Sequence, residues 1–333
     1  RNDDEALIAD AVAWAYPERV AQRRDGIRGT RDIAYLCADG SEARLPETDL
    51  LAAARWLAIA HWDPGPPRRI RLAAAIAESD LLRDHASRIR TETLVRWDRS
   101  SEAVIAESQR KLGAIVLDRR PLPASQRGDA VVSAMLDGIR ALGLDALPWT
   151  DSARQLQARV LSLRAWRPQE AWPELSDAAL LRDLSDWLAP HLDGITRREH
   201  LTRLDLAALL LQTLDYAQQQ ALARLAPTHI EVPTGSRIRL DYRPGEAPVL
   251  AVKLQELFGC ATTPTVDDGR QRVVLELLSP AQRPIAVTRD LAGFWAGSYA
   301  DVRKDLRGRY PRHPWPDDPL AAAPTRRAKP RGT

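Results

Sequence analysis

The chain has 333 residues, 44% of them hydrophobic and 28% charged, with a formal net charge of +3. That length is expected to hold two or three domains with real cores, and the near balance of charge leaves no globally basic surface. No apolar run approaches the roughly 20 residues needed to span a bilayer, and residues Arg1–Asp10 lack the character of a signal peptide. The only cysteines, Cys37 and Cys260, lie far apart; they exclude a disulfide framework and read as free thiols of a reducing cytoplasm.

In chain order, Leu7, Ile8, Ala11, Val12 and Ala15 recur at helical spacing. Residues 1–16 therefore read as the end of an amphipathic helix from a preceding bundle, stopped at Tyr16-Pro17. Residues 17–122 read as a small antiparallel barrel. Strands are expected at Arg19–Arg23, Ile33–Ala38, Ser41–Leu45, Trp56–Trp62, Thr93–Trp97, Val104–Lys111 and Ala114–Leu117. Asp39-Gly40 supplies a hairpin turn, and one helix, Ala77–Ser87, interrupts the series. Short strands with turn signals and a single inserted helix are compatible with an oligonucleotide-binding (OB) barrel.

Residues 123–226 form a helical middle domain. One packing stripe is Val132, Met135, Leu136, Ile139 and Leu142; a second, after Thr150, is Ala153, Leu156, Val160 and Leu163. A third, capped by Ser176 and ended by Pro190, is Leu180, Leu181, Leu184, Trp187 and Leu188, and Leu206–Leu225 supplies one or two more helices.

Residues 227–316 mix strand and helix periods. Ile238, Leu240 and Tyr242 alternate with Arg237, Arg239 and Asp241, a strand that turns at Arg243–Glu246 and returns as Val249–Leu254. Val273–Leu278 offers a third strand and Ile285–Val287 a fourth, placed at an edge because Pro284 has no N–H for a ladder. Thr288 or Asp290 then caps a helix carrying Leu291, Phe294 and Trp295; Tyr299, Val302 and Leu306 continue at helical spacing until Gly308. Three prolines within Pro311–Pro316 forbid regular structure, so Arg307–Pro316 reads as an extended basic arm. Residues 317–333 read as a mobile basic tail. From residue 303 onward there are nine Lys or Arg against three Asp, while the rest of the chain is slightly acidic.

Several long motifs share one source. Thr234-Gly235-Ser236 followed by Leu240-Asp241-Tyr242, the run Val252–Gly259, the Leu278-Ser279-Pro280 turn with Arg283-Pro284, Phe294-Trp295 and the Arg307–Pro316 arm stand in order. Together they resemble the C-terminal, post-motor region of the HrpB-type branch of DEAH-box ATP-dependent RNA helicases. The resemblance implies an OB-like domain near the RNA entry of a motor, and a motor that uses ATP and magnesium. The motor signature is not in this sequence: none of the four lysines, Lys111, Lys253, Lys304 and Lys329, closes a phosphate-binding loop of the G-x-x-x-x-G-K-[ST] kind. Since the sequence opens on Arg1-Asn2-Asp3-Asp4, it is expected to be the C-terminal part of a larger protein, without cofactors of its own and without ATP turnover.

The fold expectation is an α+β multidomain chain: an OB-like antiparallel β-barrel, a helical middle domain and a C-terminal mixed α/β unit with an extended basic arm. No catalytic or metal-ligating constellation is legible; Asp267-Asp268 and Asp317-Asp318 read as turns. Candidate RNA contacts are Arg19, Arg23, Arg24, Arg68, Arg69 and Arg71 on the barrel, and Arg309, Tyr310, Arg312 and Trp315 on the arm. Exposed arginines at strand edges also guard against aggregation, and the arm's aromatic residues equally suit a lock onto the globular body. The expected partners are single-stranded RNA, held weakly, and the family's motor domains; the alternative is a protein-recruiting module with no nucleic-acid role.

Overall fold

The computed structural model describes residues 2–24, 32–66, 68–126 and 128–326. Residues 1, 25–31, Pro67, 127 and the tail beyond 326 lie outside the described residues, as do the expectations that fall on them. The chain is a mixed α+β structure of two compact units, Arg1–Gly138 and Ile139–Thr333.

In the first unit, helix α1 (Asn2–Ala15) leads through a short 3-10 turn, Pro17–Arg19, into strand β1 (Val20–Arg23). Strands β2 (Asp32–Cys37), β3 (Glu42–Pro46), β4 (Trp56–Asp63) and β5 (Arg68–Ala75) follow. The five strands close into a barrel in the order β1-β2-β3-β5-β4. Asp39-Gly40 makes the β2–β3 hairpin, with Gly40 at a φ of 87° and the Asp39 carboxylate accepting from Ser41 N at 2.8 Å. Glycine suits that backbone because a Cβ would crowd it.

β4 is apolar on both faces because both faces are covered. Leu57 and Ile59 enter the barrel core with Tyr35, Cys37, Leu45 and Ile70. Trp56 and Ala58 point outward onto Ala9 and Ala13 of α1. The helix therefore docks by its alanines, whose small side chains let the axis approach the strands. Leu7 and Ile8, expected on the packing stripe, stand 66% and 58% exposed instead.

Two further expectations change. β5 was not anticipated: of its eight residues only Ile70 is buried, and its outward arginines and terminal alanines carry little strand signal. It joins β3 in parallel, so the barrel is not wholly antiparallel. After helix α2 (Glu78–Asp84), the strands β6 (Ile89–Asp98), β7 (Ala103–Leu112) and β8 (Ile115–Pro121) leave the barrel and form their own three-stranded sheet. Alternation marks these as strands but does not choose their partners. Gly113, in the turn after β7 at a φ of 58°, presses on the β2–β3 hairpin, where Ala114 N donates to Ala38 O at 2.8 Å.

His85, just past α2, is buried with neither ring nitrogen partnered, its ring 5.1 Å from that of Trp14. Burial, reinforced by Arg88, holds its pKa below the ordinary 6.5 against the opposing pull of Asp84 and Asp10. The unfolded chain therefore takes up this proton first, and stability falls as pH drops below about 6.5. His85→Leu is expected to flatten that acid limb between pH 7.5 and pH 5.5 in urea melts. Parallel pH profiles of variant and parent would remove His85 from the acid limb.

Helix α3 (Gly128–Leu142) carries a buried face of Val131, Ala134, Met135, Leu136 and Ile139; Val131 rather than Val132 turns inward. Gly138 on this helix lies against the Trp97 ring, where a Cβ would overlap.

The second unit is organised on α4 (Asp151–Trp166). Thr150 caps it by accepting from Ala153 N at 3.2 Å, and Leu156, Val160 and Leu163 are buried. The expected third stripe is two short helices, α5 (Asp177–Arg182) and α6 (Leu184–Trp187). The indole N–H of Trp187 takes the Leu180 carbonyl at 2.9 Å, the acceptor a continuous helix would have given to residue 184. Helices α7 (Leu206–Gln212) and α8 (Tyr216–Leu225) follow, the latter opened by a capping box of Asp215 and Gln218.

Strands β9 (His229–Glu231), β10 (Arg237–Asp241), β11 (Val249–Lys253), β14 (Val274–Leu278) and β15 (Pro284–Thr288) form one sheet, with the small hairpin β12 (Thr265–Val266) and β13 (Gln271–Arg272) inserted. The sheet order is β15-β14-β11-β10-β9, so the Pro284 strand is an edge. β10 and β11 pair as the expected hairpin, with Leu240 opposite Leu250, and β11 and β14 run parallel.

The turn between β12 and β13 holds Asp267 and Asp268, both at positive φ. They do more than turn the chain. Asp267, buried, accepts from Arg167 Nε at 2.5 Å; Arg167 also reaches Glu170 at 2.6 Å and Asp268 at 3.3 Å.

Helix α9 (Leu291–Ala296) is capped by Asp290, which accepts from Gly293 N at 3.1 Å. Its Trp295 packs 5.3 Å from Tyr299 and 6.1 Å from Phe258. Helix α10 (Tyr299–Arg309) runs through Gly308, correcting the expected stop. One glycine inside a helix costs about 1 kcal/mol and is tolerated, whereas Pro311 forces Tyr310 out of the helical region. The arm therefore starts three residues later than expected. Beyond it, residues 317–326 lie against 255–259, with Gly259 N donating to Pro319 O at 2.9 Å and Thr325 N to Gln255 O at 3.0 Å. Among the described residues no helix is long and apolar enough to cross a membrane.

Candidate nucleic-acid interface

On the wall of the barrel, Trp62 of β4 stands between two guanidinium groups. Arg19 lies 4.8 Å and Arg68 4.5 Å from its ring, and Arg19 also covers Tyr16 at 4.5 Å. The 3-10 turn before β1 is what swings Arg19 here; its Nη1 donates to Ala60 O at 3.1 Å. Arg68, the first residue of β5, donates to Ser41 Oγ at 2.7 Å and pairs with Asp39 at 3.1 Å. Burial pushes the Asp39 pKa up, but donation from the Ser41 hydroxyl and N–H, joined by the Arg68 pair, outweighs it and holds the carboxyl below its ordinary range.

A hollow of 720 Å³ opens beside this stack, lined by Ser41, Glu42, Arg44, Gly65, Pro66 and Arg68. Glu42 is held between Arg24 at 3.2 Å and Arg44 at 2.9 Å. The parallel β3–β5 register sets Arg44 opposite Arg69. Arg71 faces Asp63 at 2.6 Å. Arg23 and Arg69 are exposed and form no salt bridge among the described residues.

The structure thus gathers Arg19 with Arg68 on Trp62, and sets Arg24 and Arg69 beside two residues that line the hollow, Arg24 against Glu42 and Arg69 opposite Arg44. Two participants were missed in the sequence. Trp62 and Arg44 carry no signal in the sequence beyond membership of the expected strands Trp56–Trp62 and Ser41–Leu45; the alternation Glu42-Ala43-Arg44-Leu45 is the signal that places Glu42 and Arg44 together outside.

The arm set lies in the second unit. Arg309 ends α10 and Arg312 is exposed, neither with a salt bridge among the described residues. Trp315 is half-buried and donates its indole N–H to Tyr310 O at 3.0 Å, while the Tyr310 and His313 rings meet edge to face at 6.3 Å. Tyr299 OH donates to Pro316 O at 2.8 Å, fastening the arm to α10. Tyr310, His313 and Trp315 thus pack on one another within the arm, while Arg309 at the end of α10 and Arg312 in the arm stand exposed.

Known proteins resemble this chain in sequence and in fold. Residues 187–319 match the family described as ATP-dependent helicase C-terminal, and residues 88–122 match the connector region of the ATP-dependent RNA helicase HrpB. The connector match coincides with the separate β6–β8 sheet. The chain is 41% identical to ATP-dependent RNA helicase HrpB of Escherichia coli (strain K12), over 98% of its own length and 40% of the relative's. A crystal structure of the E. coli DExH-box NTPase HrpB superposes with a TM-score of 0.61 at 41% identity, covering 97% of this chain and 40% of that one. A second, of the E. coli DEAH/RHA helicase HrpB, gives 0.53 at 36% identity over 93% and 38%. By sequence and by structure, the chain belongs to the HrpB family of RNA helicases and corresponds to its connector and C-terminal regions.

Proposed function

We propose that this chain is the strand-handling part of an ATP-dependent RNA helicase: its barrel, OB-like in type, guides single-stranded RNA while the family's motor domains bind ATP and magnesium and do the work in the cytoplasm. The observation that carries this reading is the Arg19–Trp62–Arg68 stack on the wall of a closed five-stranded barrel. OB folds present oligonucleotides to one face of such a barrel. Here Trp62 holds two guanidinium groups against its ring, with Arg24, Arg44 and Arg69 extending the positive track beside the hollow. Arginine's fixed fork suits phosphate. Because Glu42, Asp39 and Asp63 neutralise part of this charge, the affinity is weak and sequence-independent. The arm contributes Arg309 and Arg312 to phosphates, with Tyr310 and Trp315 holding its shape. The domain limits at 17–122, 123–226 and 227–316 are part of the same proposal.

Fluorescence anisotropy with a labelled single-stranded RNA tests it. Binding at low salt is expected, with log affinity falling linearly against log salt as counterions are released. Trp62→Ala frees both arginines and is expected to weaken binding roughly tenfold. No binding at low salt, or a Trp62→Ala chain that binds like the parent, would overturn the proposal.

A further inference from the structure

A second concavity lies within the second unit. Between the first half of α4 and strands β9 and β10 is a pocket of 320 Å³, lined by Ser152, Leu156, Arg159, His229, Arg239 and Leu240 among others. That volume is at the small end of ligand sites. Leu156 and Leu240 are buried and give it apolar walls.

Arg159 is the unusual member. It is 9% exposed, yet no carboxylate pairs with it among the described residues. Its Nε donates to Ala226 O at 2.6 Å and its Nη2 to Leu222 O at 3.2 Å, the carbonyls at the end of α8. Those bonds offset its burial only in part: they are to neutral dipoles, and arginine keeps its proton under all ordinary conditions. Nη1 is the one arm of the guanidinium left for another acceptor. At the rim, Arg239 is paired with Asp151, so these two cancel. One positive charge is left over, and it is the buried one.

We propose that this pocket binds a small carboxylate, with the carboxyl group on Arg159 and a branched aliphatic body between Leu156 and Leu240. The charge count selects a monoanion over a dianionic phosphate ester. The apolar walls select an aliphatic body, and the volume limits that body to roughly the size of one amino-acid residue. Two sources share this chemistry: a free acid, and the C-terminal residue of a peptide chain.

Thermal unfolding of the full chain separates them. N-acetyl-leucine, its neutral amide, and a leucine-ended pentapeptide with a free or amidated end are the probes. A free acid in at least one format is expected to raise Tm by roughly 3 °C once it exceeds its Kd about tenfold, and the matching amide to leave Tm unchanged. A shift with N-acetyl-leucine alone assigns the site to a free acid; a shift with the pentapeptide assigns it to a chain end. Arg159→Gln should abolish the shift. Because that change also removes the α8 contacts, Ser152→Trp provides a second test: it closes the mouth from an exposed helix position and should abolish the shift in a chain that still folds. Equal shifts by acid and amide, no shift with either acid, or a shift that survives Ser152→Trp would overturn the assignment.

Discussion

Arg167→Ala is expected to destabilise the chain by about 3–5 kcal/mol, because it strips the partner from a carboxylate that has nowhere else to go. Asp267 is 1% exposed, and its second oxygen, Oδ2, already lacks a hydrogen bond. Its backbone sits at a φ of 56° in the β12–β13 turn, and its N–H donates to Leu225 O at 2.8 Å, so the turn cannot easily swing the charge into water. Arg167 spans from the end of α4 to this turn, reaching Glu170 and Asp268 as well. Asp267→Asn should cost less, since asparagine tolerates positive φ and can still accept a hydrogen bond. The pair makes a thermodynamic cycle. With both changes the uncompensated charge is gone, so the double variant is expected to be more stable than Arg167→Ala alone. Urea unfolding of the three variants measures this. A double variant weaker than either single one would mean that the ion pair is not what Arg167 contributes.

Gly113→Ala is the second large effect, expected at roughly 2–4 kcal/mol. Two costs coincide there. The residue lies at a φ of 58°, where a side chain is strained. In addition, the new Cβ would overlap the carbonyl oxygen of Ala38, a backbone atom fixed by accepting from Ala114 N, next to an Ala38 N–H that donates to Val20 O. A control isolates the contact. Gly245 has a φ of 76° with nothing within 4 Å of a Cβ, so Gly245→Ala carries the backbone strain alone. Equal losses in urea midpoint for the two substitutions would dismiss the Ala38 contact.

What the sequence discloses follows from which forces are local. The Asp39-Gly40 hairpin, the cap at Ser176, the narrowing of the α9 cap to Thr288 or Asp290, and the edge position of the Pro284 strand depend on neighbours in the chain, and each is legible there. Partner choice is not local. Nothing in Thr93–Trp97 or Val104–Lys111 says that these strands pair with each other rather than close the barrel. The parallel β3–β5 and β11–β14 ladders likewise leave no mark on the residues that make them. Helix α1 misled for a related reason: its large apolar residues suggested the buried face, but close approach to β4 favoured Ala9 and Ala13. At the candidate interface, the arginines stood out by charge. Trp62 did not, because a tryptophan in a strand is ordinarily a packing residue and only the geometry sets Arg19 and Arg68 against it.

The separate β6–β8 sheet also bears on how the first unit comes together. Each of its ladders joins neighbours across a tight turn, Asp98 with Ala103 and Leu112 with Ile115, so little loop entropy opposes its formation. The barrel's seam joins Val20 to Ala58, across the whole of β2 and β3, and cannot knit until those strands are in place. In refolding of the intact chain the meander is therefore the early, self-sufficient piece. The barrel is the slow one, and its unpaired β1 and β4 edges are the surfaces on which a chain caught midway would stick to its neighbours.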